Sequence, residues 1–314
     1  MAERMLPVLP DYQPGRWAVH TAYSDPGRFG PLLDAVPGQD RAASTVARNL
    51  IVHYRASEVE LPEGTRSDVN ARWIAKILEL DQQRHPADLG TPRAESRRVQ
   101  GCCRDHSLLA AAILRQHGIA ARIRYGFAGY FVEEFQVDHV VVETWEPQLQ
   151  RWRRFDPEVA SPLPRLASPR DIPAGRGAPF VTAAEVWRGY RAGEIDPDRY
   201  GVDPATEVRG VWFIHDAVIL DAAFRAGHEL LLWDAWDPMT DPSGPTEEQA
   251  GSVDRLASLI VAADAGDLDA ERELIASMTD DPQLRPPDVV NTICPWGDPP
   301  VRSELRRGPA AVQS

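Results

Sequence analysis

The sequence predicts an α+β fold: a buried, cysteine-bearing helix packed on an antiparallel sheet, with additional helices towards the C-terminus. Three stretches carry that prediction. Residues 107–116 are strong helix formers, stopped by Gly118, and apolar nearly all round, as in a helix with no solvent face. Asp138–Trp145 and Arg151–Phe155 are rich in β-branched and aromatic residues around a short turn, which reads as a hairpin. Beyond residue 181 the apolar positions recur at helical spacing, and Thr246-Glu-Glu-Gln249 is a capping box.

The elements follow in order. Residues 1–65 read as an N-terminal extension on the core, rich in Pro, Gly and Asp up to residue 40, with a helix over 41–56 whose Val46, Leu50, Ile51 and Tyr54 share a face. The core spans 66–160. Its first helix starts near Ser67 or Asp68 and carries Val69, Trp73, Ile74, Ile77 and Leu78 to about Gln83. Residues 86–99 are a loop leading to Gln100-Gly-Cys-Cys103 and the buried helix. Alternation of Ile123, Tyr125 and Phe127 gives a strand over 121–127, followed by an aromatic-rich loop over 128–136 and then the hairpin. A Pro-rich linker (161–181), a helical region (182–280) with its longest helix over 211–233, and a loose tail (281–314) complete the chain.

At 314 residues the chain can bury a sizeable core, and its net charge of −13 disfavours nucleic acid and anionic membrane as partners. No apolar run is long enough to span a bilayer, the first residues lack the pattern of a signal peptide, and Cys102, Cys103 and Cys294 form no disulfide framework. A cytoplasmic protein acting on a peptide or small amide or acyl substrate is expected, with no cofactor and no metal. Residues 93–124 are arginine-rich against only Glu95 and Asp105. Those arginines either favour an anionic substrate or, the preferred reading, are solvated or pair with acidic surfaces elsewhere.

The chemistry centres on the paired cysteines at a helix start, where free N–H groups and the helix dipole lower a thiol's pKa. Consecutive residues there point about 100° apart, so only one thiol can face a given partner. His139 and Asp156 lie on the two strands of the hairpin. Setting His139 directly across from Asp156 leaves Glu146–Leu149 as a four-residue loop and puts both side chains on one face. A thiol, an imidazole and a carboxylate to orient the ring make a triad for acyl transfer. The Cys103 N–H is expected to hold the oxyanion, with Gln100, Cys102 and Trp145 as further oxyanion or substrate candidates. Cys103 and His106 could instead ligate a metal, but no second Cys/His pair completes such a site.

Gly101-Cys-Cys-Arg-Asp105, a helix ending in Leu-Arg-x-x-Gly-Ile-Ala-Ala-Arg122, His139 in a Val-rich strand, and Trp152-x-x-x-Asp-Pro157 together resemble the core of the transglutaminase-like superfamily of papain-like thiol enzymes. The resemblance covers about a third of the chain. It implies Cys103 as nucleophile, His139 as base and Asp156 as orienter, with Cys102 at the motif's variable position. Ala120 stands where the family usually has proline. The implied reaction is attack of Cys103 on an amide, ester or thioester carbonyl to form a thioester. Hydrolysis, as in a peptidase or amidase, is favoured over transfer to an amine as in amide-forming or crosslinking enzymes; a catalytically silent binding protein is the remaining alternative.

Overall fold

The computed structural model describes residues 14–175, 177–239 and 242–305. The expectations for the first thirteen residues and for the end of the tail therefore lie outside the described residues. In chain order, α1 (Gly30–Asp34) and α2 (Asp40–Leu50) lead into β1 (Ile51–His53). After α3 (Ile74–Arg84) and β2 (Val99–Gly101) comes the cysteine helix α4 (Cys103–Gln116). The sheet strands β3 (Ala121–Val132), β4 (Phe135–Glu146), β5 (Arg151–Phe155) and β6 (Phe180–Thr182) follow. Then come α5 (Ala183–Arg191), β7 (Tyr200–Gly201), α6 (Val211–Arg225), β8 (Asp234–Ala235), α7 (Glu247–Asp264), α8 (Leu268–Asp280), β9 (Val289–Thr292) and β10 (Val301–Glu304).

The main sheet runs β5-β4-β3-β6, with β7 adding a short parallel pairing to β4. The expected α+β class holds: one face of this sheet packs against α4, which is buried at Leu108, Leu109, Ala112 and Ile113 in the same cluster as Tyr125, Phe127, Val140 and Val142. Each buried leucine there contributes about 1.5–3 kcal/mol. The other face carries a smaller cluster in which Leu166, Ile172 and Phe180 cover Ala128, Tyr130 and Val141. The Pro-rich segment is thus irregular but packed. Among the described residues no helix is long and apolar enough to cross a membrane.

Several boundaries differ from the sequence reading, each for a physical reason. The helix expected to reach residue 56 stops at Leu50, because Ile51 and Val52 turn extended to pair in parallel with Val99 and Gln100. Residues 63–70 form a 3-10 segment, and α3 starts only at Ile74. Asp68, read as a cap, is instead taken by the Arg84 guanidinium at 2.5 and 2.6 Å and by the Gln100 N–H at 3.2 Å. The loop assigned to 128–136 is strand, since β3 and β4 run on until Val132 pairs with Phe135 around a turn with Glu134 at φ 58°. The helix drawn over 211–233 ends at Arg225, where Gly227 takes φ 91°, a left-handed conformation that breaks the helical ladder, and α7 is longer. The tail read as loose pairs β9 with β8 and β10.

Candidate active site

The site starts from how α4 begins. A Cβ on Gly101 would lie 2.8 Å from Asp105 Oδ2 and 3.0 Å from Ile51, so only glycine lets that carboxylate fold back. Asp105 Oδ2 then accepts the Cys102 N–H at 2.9 Å, while the Cys102 sulfur faces N–H groups of the first turn as N-cap. The wholly buried Arg104 clamps the turn from the side. It donates to Asp105 Oδ1 at 2.8 Å, to the Arg72 carbonyl at 2.6 Å, to the Leu230 carbonyl at 3.1 Å, and to the Glu229 carbonyl. Cys103 is the first helical residue, with its N–H among those a helix start leaves without an intrahelical partner.

One edge of β4 receives this helix. Along that edge β7 pairs with Gln136 and Val137, and β5 pairs from Val142 to Glu146, so residues 138–141 face a gap between strands. Ser107 fills part of it, donating its hydroxyl to the Val140 carbonyl at 2.7 Å. Cys103 lies one turn before Ser107 on the same helix face, and His139 directly precedes Val140. The docking that satisfies this carbonyl sets α4 against the strand that carries His139.

The hairpin register differs from the expectation by two residues. Val142, not His139, is the residue whose partner closes the strand, pairing with Phe155, and Glu146 pairs with Arg151, which leaves Pro147–Gln150 as the turn. Ion pairs from Glu146 to Arg151 at 2.9 Å and to Arg153 at 2.6 Å hold this register. A two-residue shift preserves the face that a one-residue shift would reverse. His139 and Asp156 therefore meet diagonally, and His139 Nε2 lies 2.8 Å from Asp156 Oδ2. That leaves Nδ1 as the ring nitrogen turned away from the carboxylate. Asp156 Oδ2 also accepts the Tyr130 hydroxyl at 2.7 Å, and Oδ1 accepts the N–H groups of Glu158 at 2.9 Å and Val159 at 3.4 Å. Burial alone would raise the Asp156 carboxyl; the His139 ring, the bonds from His139 and Tyr130 and the Glu158 N–H outweigh it and hold it below the usual carboxylate range. Burial would likewise lower His139, but the Asp156 charge and hydrogen bond prevail and the ring stays protonated above its ordinary pKa.

The thiols are less acidic than a helix start alone implies. Cys103 is held well above the ordinary thiol pKa by its hydrogen bond with Cys102, by burial and by the charges of Cys102, Asp138 and Glu158. For Cys102 the bond with Cys103 favours the thiolate, yet burial and Asp105 leave it raised as well. Two of the charges that act on Cys103, those of Asp138 and Glu158, belong to chain neighbours of His139 and Asp156. Half-buried Asp138 is pushed up to about 6 by burial, against the Tyr125 hydroxyl bond at 3.2 Å. Cys103 and His139 are only 4% and 3% exposed, so the resting site is shut from bulk water. Beside it, Arg55 in the turn after β1 meets Asp203 of the 201–210 loop at 3.4 Å.

The other sequence candidates lie elsewhere. Gln100 gives its amide group to the Pro62 carbonyl at 3.0 Å and Thr65 Oγ1 at 2.7 Å, which ties its donor to the 63–70 segment and corrects its reading as an oxyanion donor. Trp145 belongs to a cluster with Trp17 and Trp152 at the far end of β4. Six residues from His139 amount to about 20 Å along a strand, so Trp145 does not line the site. His106 turns Nδ1 to the Cys102 carbonyl at 3.0 Å. The arginines of 93–124 are largely internal and not solvated: Arg93 pairs with Asp81, Arg115 with Glu229, and Arg122 and Arg124 with Glu143. Sequence reasoning missed Tyr130, Phe131, Asp138 and Glu158. Phe131 stands edge-on to the His139 ring, centroids 5.0 Å apart. The signal for Tyr130 and Phe131 was their aromatic weight just before His139, hidden by the loop assignment.

Comparison with known proteins follows this geometry. Residues 62–157, which hold Cys103, His139 and Asp156, match the family model of the transglutaminase-like superfamily. A solved structure from Cytophaga hutchinsonii, provisionally named a cysteine protease, is similar at 18% identity and a TM-score of 0.33, covering 53% of this chain and 52% of that one. The match thus spans about half the length of that protein. No curated protein matches the chain. The likeness to the transglutaminase-like superfamily thus covers residues 62–157, the stretch that holds Cys103, His139 and Asp156.

Proposed function

We propose that the protein is a thiol enzyme of acyl transfer in which Cys103 is the nucleophile, His139 the acid–base and Asp156 the orienter. The observation that carries this reading is the buried His139 Nε2–Asp156 Oδ2 contact at 2.8 Å on the stretch of β4 that receives the start of α4. With Nε2 committed to the carboxylate, Nδ1 takes the Cys103 proton as the sulfur attacks an amide or ester carbonyl. The oxyanion that forms is met by the Cys103 N–H at the positive end of α4. His139 returns the proton to the departing amine or alcohol, leaving a thioester on Cys103. Water activated by the same ring then releases the acid, the hydrolytic outcome that this reading favours over capture by an amine.

Product analysis by mass spectrometry, with a panel of peptide amides and esters and a primary amine as competing acceptor, tests the reading. The free acid is expected as main product from the unaltered chain, and neither product from Cys103→Ala or His139→Ala. Amide product in excess would assign the enzyme to amine transfer, and full turnover by Cys103→Ala would overturn the thiol mechanism.

A further inference from the structure

Glu158 is a carboxylate at this site whose task the triad does not explain. Its backbone is fixed: its N–H donates to Asp156 Oδ1 at 2.9 Å, and Arg48 Nη1 holds the preceding Pro157 carbonyl at 2.7 Å. The turn that presents Asp156 to His139 therefore also sets the position of Glu158. The Glu158 charge acts on Cys103, His139, Tyr130 and His53, so the carboxylate lies within electrostatic range of the thiol and the ring. Its Oε2 is buried and, among the described residues, has no hydrogen-bond partner. A shielded carboxylate oxygen without a donor is unfavourable, and native structures seldom keep one without a use.

His139 is paired with Asp156, and the other cations of this neighbourhood are engaged elsewhere or uncharged. Arg48 is bound to the Pro157 carbonyl, Arg55 lies against Asp203, and His53 is held below its ordinary pKa by burial despite the Glu158 charge. A second carboxyl, Asp138, stands on the same side of Cys103 with one bond from the Tyr125 hydroxyl. The negative groups around the thiol oppose formation of a thiolate, and a further cation beside them relieves that opposition.

We propose that Glu158 selects the substrate: the site takes an amide or ester bearing an ammonium group close to the carbonyl that Cys103 attacks, and Glu158 Oε2 receives that ammonium. This rests on the acyl-transfer reading and adds the charge of the substrate to it. A bound ammonium supplies the missing donor and offsets the acidic field at Cys103, so the thiolate becomes easier to form when the right substrate is in place. A neutral or anionic substrate gains neither effect.

The test compares Cys103 modification by methanethiosulfonates carrying an ethylammonium, a methyl or an ethylsulfonate group, in the unaltered chain and in Glu158→Gln, with Cys103 identified by peptide mass. Any change of thiol pKa caused by the substitution affects all three reagents alike and cancels in the ratio of their rates. The cationic-to-anionic ratio is expected to fall about tenfold in Glu158→Gln, with the methyl reagent between them, as befits removal of one nearby charge. An unchanged ratio at a labelled Cys103 overturns the role of Glu158 and leaves the thiol mechanism standing. Failure of every reagent to label Cys103 overturns both.

Discussion

Asp156 divides its two oxygens between two tasks, and that division decides what its substitutions do. Oδ1 closes the turn over Pro157 through the Glu158 and Val159 N–H groups, while Oδ2 faces His139 and Tyr130. The negative charge on Oδ2 favours the imidazolium. The proton that must leave before the thiol–imidazole pair can react therefore comes off above the ordinary histidine pKa of about 6.5. The acid limb of kcat/KM is expected above that value. In Asp156→Asn the charge is gone, so the limb moves to lower pH, and kcat falls by less than the ~10⁴ that a serine triad loses, because a thiol is intrinsically the better acid. In Tyr130→Phe the carboxylate loses a competing donor and binds the imidazolium harder, so the limb moves to higher pH. A pH–rate profile of both variants checks the pair; limbs that stay in place while thermal stability drops would reduce Tyr130 and Asp156 to structural roles. His139 and Asp156 were legible in the sequence because face parity survives a two-residue error in register. Tyr130 was not, because an aromatic, glycine-containing stretch reads as loop until its pairing with β4 is known.

At the scale of elements, the start of α4 depends on the close approach of β2, β1 and the first helical turn. Gly101 is where they meet, with Asp105 Oδ2 and Ile51 within 3.0 Å of where a Cβ would stand. Gly101→Ala is expected to cost about 1–3 kcal/mol in denaturant unfolding, as overpacking does, and to lower turnover by displacing the Cys102 cap and Cys103 with it. A variant as stable and as active as the parent would show that the first turn is not so constrained. The helix itself was legible from composition, because an apolar surface all round leaves no alternative to burial. Its docking point was not. The gap along β4 arises from pairings with β5 and β7, and β7 is a two-residue strand that local pattern cannot reveal.

On the scale of the whole molecule, the acidic chain balances its internal arginines with a buried ion network between the sheet and the helices after it. Arg124 joins Glu143 on β4, Asp221 on α6 and Asp264 at the end of α7, and Arg225 joins Asp264 and Glu271 on α8. Burial would raise Glu143 and Asp264, but Arg122, Arg124 and their neighbours hold both below the usual carboxylate range. Groups lowered in this way contribute stability that is complete above the unfolded carboxylate pKa of about 4 and is lost as pH falls through their folded values. Arg124→Ala leaves three carboxylates short of a partner and is expected to cost about 3–5 kcal/mol. The acid-unfolding midpoint should move to higher pH, as circular dichroism during acid titration would record. An unchanged midpoint would contradict the network. The arginines were visible in the sequence as a cluster, but solvation or pairing with acidic surfaces was the preferred reading, not burial. Their partners were not visible, since Asp221, Asp264 and Glu271 come from helices whose placement on the sheet no local pattern encodes.

The central claim, that Cys103 carries the acyl group, is tested most directly by trapping it. The chain is mixed briefly with a 4-nitrophenyl ester, quenched in acid and mapped by peptide mass spectrometry, alongside Cys102→Ser, Cys103→Ala and His139→Ala. One acyl group on Cys103 is expected in the unaltered chain and in Cys102→Ser, with none in Cys103→Ala and a markedly slower appearance in His139→Ala. An acyl group on Cys102, or acylation undiminished by Cys103→Ala, would contradict the account.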